Sequence, residues 1–200
     1  MAFLRPSVAN EAPEIVRGAR IHLRPLCLDD YTEWSDLRSV SRAHLKPWEP
    51  EWRQDELWRS SYRRRIRHYQ REAREDLGYA FGVFETAEDR LVGGLTLGNV
   101  RRGVMQCATL GYWLGVAHIR RGHMSDAVRT VIPYAFGKLR LHRLEAASMP
   151  SNTASISVLE RAGFAREGLA RRYLKISGSW QDHIRFALLA DETDEGADGI

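Results

Sequence analysis

Apolar residues in this chain recur at two periods, and the switches between them divide it into elements. Ile21, Leu23 and Leu26 alternate with His22 and Arg24 ahead of Pro25, which predicts a first strand. Asp29 or Asp30 then caps a short helix with Tyr31, Trp34 and Leu37 on one face. Pro47 and Pro50 interrupt hydrogen bonding over 45–52, predicting an exposed aromatic loop. Trp58, Tyr62, Ile66, Tyr69, Ala73 and Leu77 recur every three or four residues, the buried stripe of a long helix over 57–77. Arg63, Arg64, Arg65, Arg67, Arg71 and Arg74 fall on its wet face. Runs at 79–84, 91–100 and 107–116 read as a meander of antiparallel strands. Helical spacing returns over 125–139, with Pro133 expected to kink it. A strand follows over 142–149, then a turn at 150–152, a short helix over 154–161 stopped by Gly163, and strands at 165–168 and 181–189.

Two hundred residues, 44% hydrophobic and 10% aromatic, suffice for one self-contained core. The pattern divides into an N-terminal extension (1–20), one domain (21–190) and an acidic tail (191–200) too polar to order itself. No apolar run reaches the ~18 residues of a membrane span, and the first twenty residues lack the apolar stretch of a secretion signal, so a cytoplasmic location is expected. Cys27 and Cys107 have no CxxC or Cys/His spacing and read as buried thiols, with no metal site. The net charge is +4, and Lys46, Lys138 and Lys175 are the only lysines. Planar guanidinium forks suit phosphates and carboxylates, and the Arg-rich helix is a candidate contact with a ribosome or ribosomal precursor. Neither a membrane nor a sequence-specific nucleic-acid partner is expected, and a monomer or a homodimer would satisfy the pattern.

The stretch 109–128, TLGYWLGVAHIRRGHMSDAV, runs from an apolar strand through an Arg-Arg-Gly turn into a helix. A helix start offers unpaired N–H groups and the positive end of a dipole, and a glycine lets the backbone approach a pyrophosphate. An ordinary strand-to-helix turn is the competing reading. GxGxxG, GK[ST], GxSxG and HExxH are all missing, which removes most of the weight from nucleotide hydrolysis and Rossmann redox chemistry. His118 and His123 do not align on one helix face and read as surface or cofactor-edge residues.

Taken together, YWLG, the RRG turn, LHRLEA, PSNTASISVLERAGF and YLKISGSWQDH resemble the GNAT superfamily of N-acetyltransferases, and within it the RimJ-type ribosomal-protein-alanine enzymes. The resemblance runs from about Ile21 to Ala190. It implies an α/β (α+β) fold: a mixed, mostly antiparallel sheet of about seven strands with flanking helices, whose fourth and fifth strands (109–116 and 142–149) splay around acetyl-CoA. It further implies that backbone groups of Trp113, Leu114, Gly115 and Val116 pair with the pantetheine arm. Arg121, Gly122, His123, Met124 and Ser125 would hold the pyrophosphate, and Arg120, Asn152 and Arg161 complete the cofactor set. Asn152 is equally suited to cap the helix that follows. The turn departs from the family's Q/R-x-x-G-x-G/A pattern at Ile119 and Met124, so backbone amides should carry more of the phosphate binding. The family's tyrosine acid is replaced by Leu159; Ser155 is the hydroxyl available to protonate the thiolate, or it simply caps its helix.

The reaction implied is direct attack of a neutral amine on the thioester within a ternary complex, with the Leu114 N–H stabilising the oxyanion. A protein α-amine, with a pKa near ~7.7–8.0, needs only a weak base. Glu145 is the candidate, its alternative being a structural partner of Arg143. Trp48, Trp52, Tyr112, Tyr173 and Trp180 are candidates for a slot taking a small first residue such as alanine, with Glu49, Glu51 and Asp182 attracting a basic tail. A ribosomal-protein N-terminus is the expected acceptor. The rivals are a small amine (aminoglycoside, polyamine or amino acid) and a non-catalytic, CoA-binding assembly factor.

Overall fold

The structure, a computed structural model, describes residues 15–193. Among these, eight strands form one sheet: β1 (Val16–Arg17), β2 (Ile21–Arg24), β3 (Tyr79–Glu85), β4 (Arg90–Arg101), β5 (Cys107–Leu114), β6 (Arg143–Ser148), β7 (Ala165–Ile176) and β8 (Ser179–Leu189). Their order is β1-β2-β3-β4-β5-β6-β8-β7, and every neighbouring pair is antiparallel except β5–β6. The helices are α1 (Tyr31–Val40), α2 (Arg42–Leu45), α3 (Arg59–Arg74), α4 (His123–Pro133) and α5 (Thr153–Arg161). The mixed, mostly antiparallel sheet matches expectation, with one strand more than predicted.

Strand alternation gives the sheet two packed faces. Leu23, Val83, Leu95, Leu97, Leu110, Leu144 and Phe186 meet Ala127, Val128 and Val131 of α4 and Ile156 and Leu159 of α5 in the larger core. On the opposite face, Phe84 and Leu91 meet Trp34 and Leu37 of α1 and Tyr62 and Ile66 of α3. The start of α1 is fixed by Asp30, whose carboxylate accepts the Cys27 N–H at 2.7 Å and both Arg24 guanidinium nitrogens at 2.8 and 2.7 Å. Burial raises the Asp30 pKa, but the Arg24 and Cys27 hydrogen bonds outweigh it and leave the carboxyl below its ordinary value.

Several expectations are corrected. Val16 and Arg17 lie in the sheet, so the folded unit begins inside the segment read as an extension. The proline-bounded loop carries regular structure: α2 leads into a 3-10 turn at Lys46–Trp48, where Pro47 occupies an early position that needs no N–H. Trp48 and Trp52 are half-buried, not exposed. Trp58 stands before the first turn of α3 and is 63% exposed, and Leu77 is also exposed, so the buried stripe is shorter than predicted. Arg65 leaves the wet face: its guanidinium lies 5.3 Å from the Trp34 ring and pairs with Glu56. Helix α4 ends at Pro133, which cannot donate to the preceding turn, and a π turn at Tyr134–Lys138 follows. Strand β7 extends to Ile176, well past the predicted residue 168. Nearly all its residues are exposed, so it shows no apolar alternation, and two register shifts and the positive φ of Gly168 and Arg172 interrupt it. Cys107 is buried as expected, but Cys27 is exposed. No described helix is long and apolar enough to cross a membrane. Residues 194–200 of the predicted tail lie outside the described residues.

Gly93 on β4 sits where a Cβ would overlap the main-chain carbonyl of Trp113 on β5. Gly93→Ala is expected to cost roughly 1–3 kcal/mol through overpacking. Urea unfolding should show the loss, accompanied by a Tm decrease of about 2–4 °C for each kcal/mol.

Candidate active site

The site begins where two strands part. β5 and β6 pair at Cys107↔Arg143, Ala108↔Leu144 and Thr109↔Glu145 and no further. Beyond that point β5 stays with β4 through Gly93↔Leu114, while β6 stays with β8 through Ser148↔Ile184. A gap therefore opens between Leu110–Leu114 and Ala146–Ser148. The Gly115 N–H donates to the Val92 carbonyl at 2.9 Å. Strand alternation then turns the main chain of Trp113 toward β4 and that of Tyr112 and Leu114 toward the gap. The Val116 N–H is taken by Ser41 Oγ at 2.9 Å. Of the four residues expected to present backbone groups to an extended ligand, Leu114 is thus free to do so; Trp113, Gly115 and Val116 face or bond elsewhere.

At the open end, Gly122 adopts φ +81° and starts α4 without any side-chain cap. Arg120, at φ +60°, also takes a left-handed conformation, which folds the RRG turn back on itself. The one carboxylate of the first turns, Asp126, faces away and accepts the Arg20 N–H at 2.7 Å. The leading N–H groups of His123, Met124 and Ser125 and the helix dipole are therefore left for an anion. Of the two readings of His118 and His123, surface or cofactor-edge, burial removes the first: they are 7% and 4% exposed, with ring centroids 6.3 Å apart. His123 Nε2 lies 3.4 Å from Glu85, and neither Nδ1 has a partner among the described residues. Burial, with Arg121 and Arg90 nearby, holds His118 below the usual imidazole pKa. No group of three His, Cys, Asp or Glu that could hold a metal occurs among the described residues.

Helix α5 faces the gap from the larger-core side. Asn152 Oδ1 accepts the Ser155 N–H at 3.1 Å, the capping arrangement, and its amide nitrogen remains for other partners. Ser155 Oγ lies 2.9 Å from the Tyr112 hydroxyl, which also reaches the Ser155 carbonyl at 3.1 Å. Burial pushes the Tyr112 pKa up to about 12, despite a smaller downward effect of the Ser155 hydrogen bond, so the phenol stays neutral at physiological pH. Tyr112 belongs to the Ser155 side of the sheet and not to the aromatic slot expected for it. Arg161 is exposed at the far end of α5.

On the other face lies a cavity of about 310 Å³ bounded by Trp52, Trp113, Tyr69 and Arg65 and floored by Gly94 and Thr96. Gly94 is required there, since a Cβ would overlap the Trp113 indole. Arg38 grips Glu49 through two bonds of 2.6 and 2.7 Å and stacks 4.3 Å from Trp52 and 4.8 Å from Trp113, while the Trp52 indole donates to Glu49 at 2.7 Å. This cluster was not legible beforehand, because Arg38 is one of many arginines and its burial depends on the fold. The tip of the β7–β8 hairpin is tied to this cluster, the Ser177 N–H donating to the Glu49 carbonyl at 2.9 Å. Trp48 does not line the cavity, and Tyr173 and Trp180 are exposed on the hairpin. Asp182 is occupied by the Arg172 N–H at 2.8 Å. Glu145 sits at the last position of β6 that pairs with β5 and accepts from Arg101, Arg143 and Arg185 at 2.9, 3.0 and 3.3 Å. That matches its structural alternative and leaves little of the carboxylate to act as a base.

The model of the acetyltransferase (GNAT) domain family matches residues 20–165. A probable N-acetyltransferase of Bacillus subtilis, YjcK, is 40% identical over 90% of this chain and 100% of its own length. The ribosomal protein uS5 alanine N-acetyltransferase of Escherichia coli is 32% identical over 81% of this chain and 84% of its own. The structure of Mycobacterium smegmatis RimJ in complex with CoA-disulfide is 34% identical, with a TM-score of 0.85 and coverage of 90% of this chain and 89% of that one.

Burial lowers the pKa of both His22 and His118 below 6.5, so the unfolded chain takes up protons that the folded one refuses. Their contribution to stability is complete above pH 6.5 and is lost as the pH falls from 6.5 toward the folded values. Urea midpoints measured between pH 7.5 and 5 should decline over that window, and His118→Gln should flatten the decline.

Proposed function

This chain belongs to the GNAT family of acetyltransferases, and on that premise we propose that it moves an acetyl group from acetyl-CoA to the N-terminal α-amine of a ribosomal protein that begins with alanine. The observation that carries the reading is the gap between β5 and β6, with the uncapped amides of the α4 start at one end and a cavity lined by Trp52 and Trp113 across the sheet. The names of the E. coli relative and of the M. smegmatis structure support the acceptor class and the co-substrate.

Acetyl-CoA supplies an acetyl group activated as a thioester. The uncapped start of α4 fits a diphosphate, the Tyr112 and Leu114 main chain fits a pantetheine running along β5, and the Asn152 amide nitrogen, not used in the cap, is available as a further donor. The Leu114 N–H is positioned to donate to the carbonyl oxygen as negative charge develops on it. The acylated nitrogen gives up its surplus proton to water, and Ser155 Oγ hands its own proton to the departing sulfur and is reprotonated from that water. Tyr112, kept protonated by burial and hydrogen-bonded to Ser155 Oγ at 2.9 Å, orients it. The acceptor's first residue enters the cavity beside Trp52 and Trp113, where the exposed carboxylate of Glu51 meets a basic residue further along the peptide.

Purified protein with acetyl-CoA and a panel of acceptors tests the reading. An alanine-starting ribosomal peptide should release free thiol at a kcat/KM at least tenfold above any aminoglycoside, polyamine or amino acid; a reversed order would overturn it. Ser155→Ala should lower kcat by about 10²-fold or more, within the usual range for acid–base groups, with little change in cofactor affinity. By contrast, Glu145→Gln should cost on the order of 1 kcal/mol of stability and leave the pH dependence of kcat/KM in place.

A further inference from the structure

The outer face of α3 has no part in the proposed reaction, yet it is the most highly charged feature of the molecule. Its 16 residues hold seven arginines and one glutamate, a local charge of +6 in a chain whose total is +4, so everything outside this helix sums to −2. Arg59, Arg63, Arg67 and Arg71 are spaced four apart and all exposed, which sets them in one row with an axial step of about 6 Å, and Arg74 continues it. Among the described residues, Arg63, Arg67 and Arg74 make no ion pair or side-chain hydrogen bond, and Arg71 reaches only His68, at 3.3 Å.

Such a row acts against the helix that bears it. Like charges at four-residue spacing repel, the first turn contains no acidic residue, and Arg59 places a cation at the positive end of the dipole with no side-chain cap before it. The helix is held by its inner face, where Tyr62 and Ile66 are buried. A merely solvated face would be better served by the alternating signs seen on ordinary exposed helices. At the head of the row stands Trp58, 63% exposed, a large flat apolar surface with no core to join.

We infer that this face is a docking surface for structured RNA, with the arginine row on successive phosphates of one strand and Trp58 stacking against an unpaired base at its end. Guanidinium forks bind phosphate oxygens in pairs, and aromatic stacking is how exposed rings take up unpaired bases. The inner face of the same helix supplies Arg65 and Tyr69 to the acceptor cavity. RNA held on the outside therefore sets that cavity beside a ribonucleoprotein surface. The inference stands on the charge and exposure of α3 and does not depend on which amine is acetylated.

Fluorescence anisotropy with a labelled RNA hairpin carrying an unpaired loop tests it, without acetyl-CoA or acceptor present. The intact protein should bind with an affinity that falls steeply with salt. Arg63→Gln/Arg67→Gln/Arg71→Gln should weaken binding at least tenfold and reduce the slope of log K against log salt by about 2 to 3. Trp58→Ala should weaken binding to the looped hairpin several-fold, leave a fully paired duplex unaffected and keep the salt slope. Thiol release with a free peptide should be unchanged in both variants. Equal binding by the intact and triple-Gln proteins would overturn the inference. So would competition by polyglutamate as effective as by unlabelled RNA, because the row would then be reading an acidic protein.

Discussion

The parting of β5 from β6 after Thr109↔Glu145 is the constraint on which the site depends. Each strand keeps its other partner past that point, so the sheet divides into two halves that twist independently. The three arginines around Glu145 come from β4, β6 and β8, and they tie the halves together at the last shared rung. A carboxylate there is best understood as the pin of the fork. The gap is useful because it leaves main-chain groups of Tyr112 and Leu114 without strand partners inside an otherwise satisfied sheet. A strand-shaped ligand can complete the ladder from either side.

The gap also joins two surfaces of different character. On the α4–α5 side, polar atoms are few and committed: Asn152 caps, Ser155 meets Tyr112, and the bare amides of the α4 start point outward. On the α1–α3 side, small residues at Gly94 and Thr96 keep the floor low beneath a wall of indoles. The Arg38–Glu49 pair is buried there between two tryptophans, and the same Glu49 main chain receives the hairpin tip. Its desolvation is offset by two charge-assisted bonds and the Trp52 indole, which makes it a device for holding the wall rather than a source of net stability.

Most of the core elements were legible in the sequence because they obey one period each: the strands at 79–84 and 91–100 fell within a residue of their positions, and the middle of the helix stripe, Tyr62 and Ile66, is buried as its period implies. Strand β7 was cut short because an edge strand exposed on both faces carries no alternation to read. Trp58 and the surface reading of the two turn histidines went astray in opposite directions. A lone aromatic at a helix start fits the apolar period without being buried, and polar rings beside arginines give no sign that the turn will enclose them. The RRG turn was found because glycine is needed at Gly122. Which backbone amides remained free was not, since that depends on Ser41 and Val92, residues distant in sequence. Tyr112 and Ser155 were each singled out, but their pairing is a tertiary fact that alternation along β5 alone would not assign without knowing that α5 covers that face.

The state of the carboxylates bears on which amine such a site can acetylate. Glu49, Glu56 and Glu145 are each held by arginine, Asp182 is occupied by a backbone amide, and Glu51 stands exposed at the rim. On the proposed reading, an acceptor entering this cavity would meet little that strips a proton from a strongly basic nitrogen, so it would have to arrive largely neutral. An α-amine near pKa ~7.7–8.0 has a substantial neutral fraction at pH 7.5, whereas a lysine side chain near ~10.4 is neutral at roughly one part in a thousand. The difference exceeds two orders of magnitude in the concentration of attacking species before any contact is made. On the proposed reading, a site whose neighbouring acids are mostly held by arginines and amides would favour chain termini over lysines by the protonation equilibrium alone, leaving its indoles to distinguish one terminus from another.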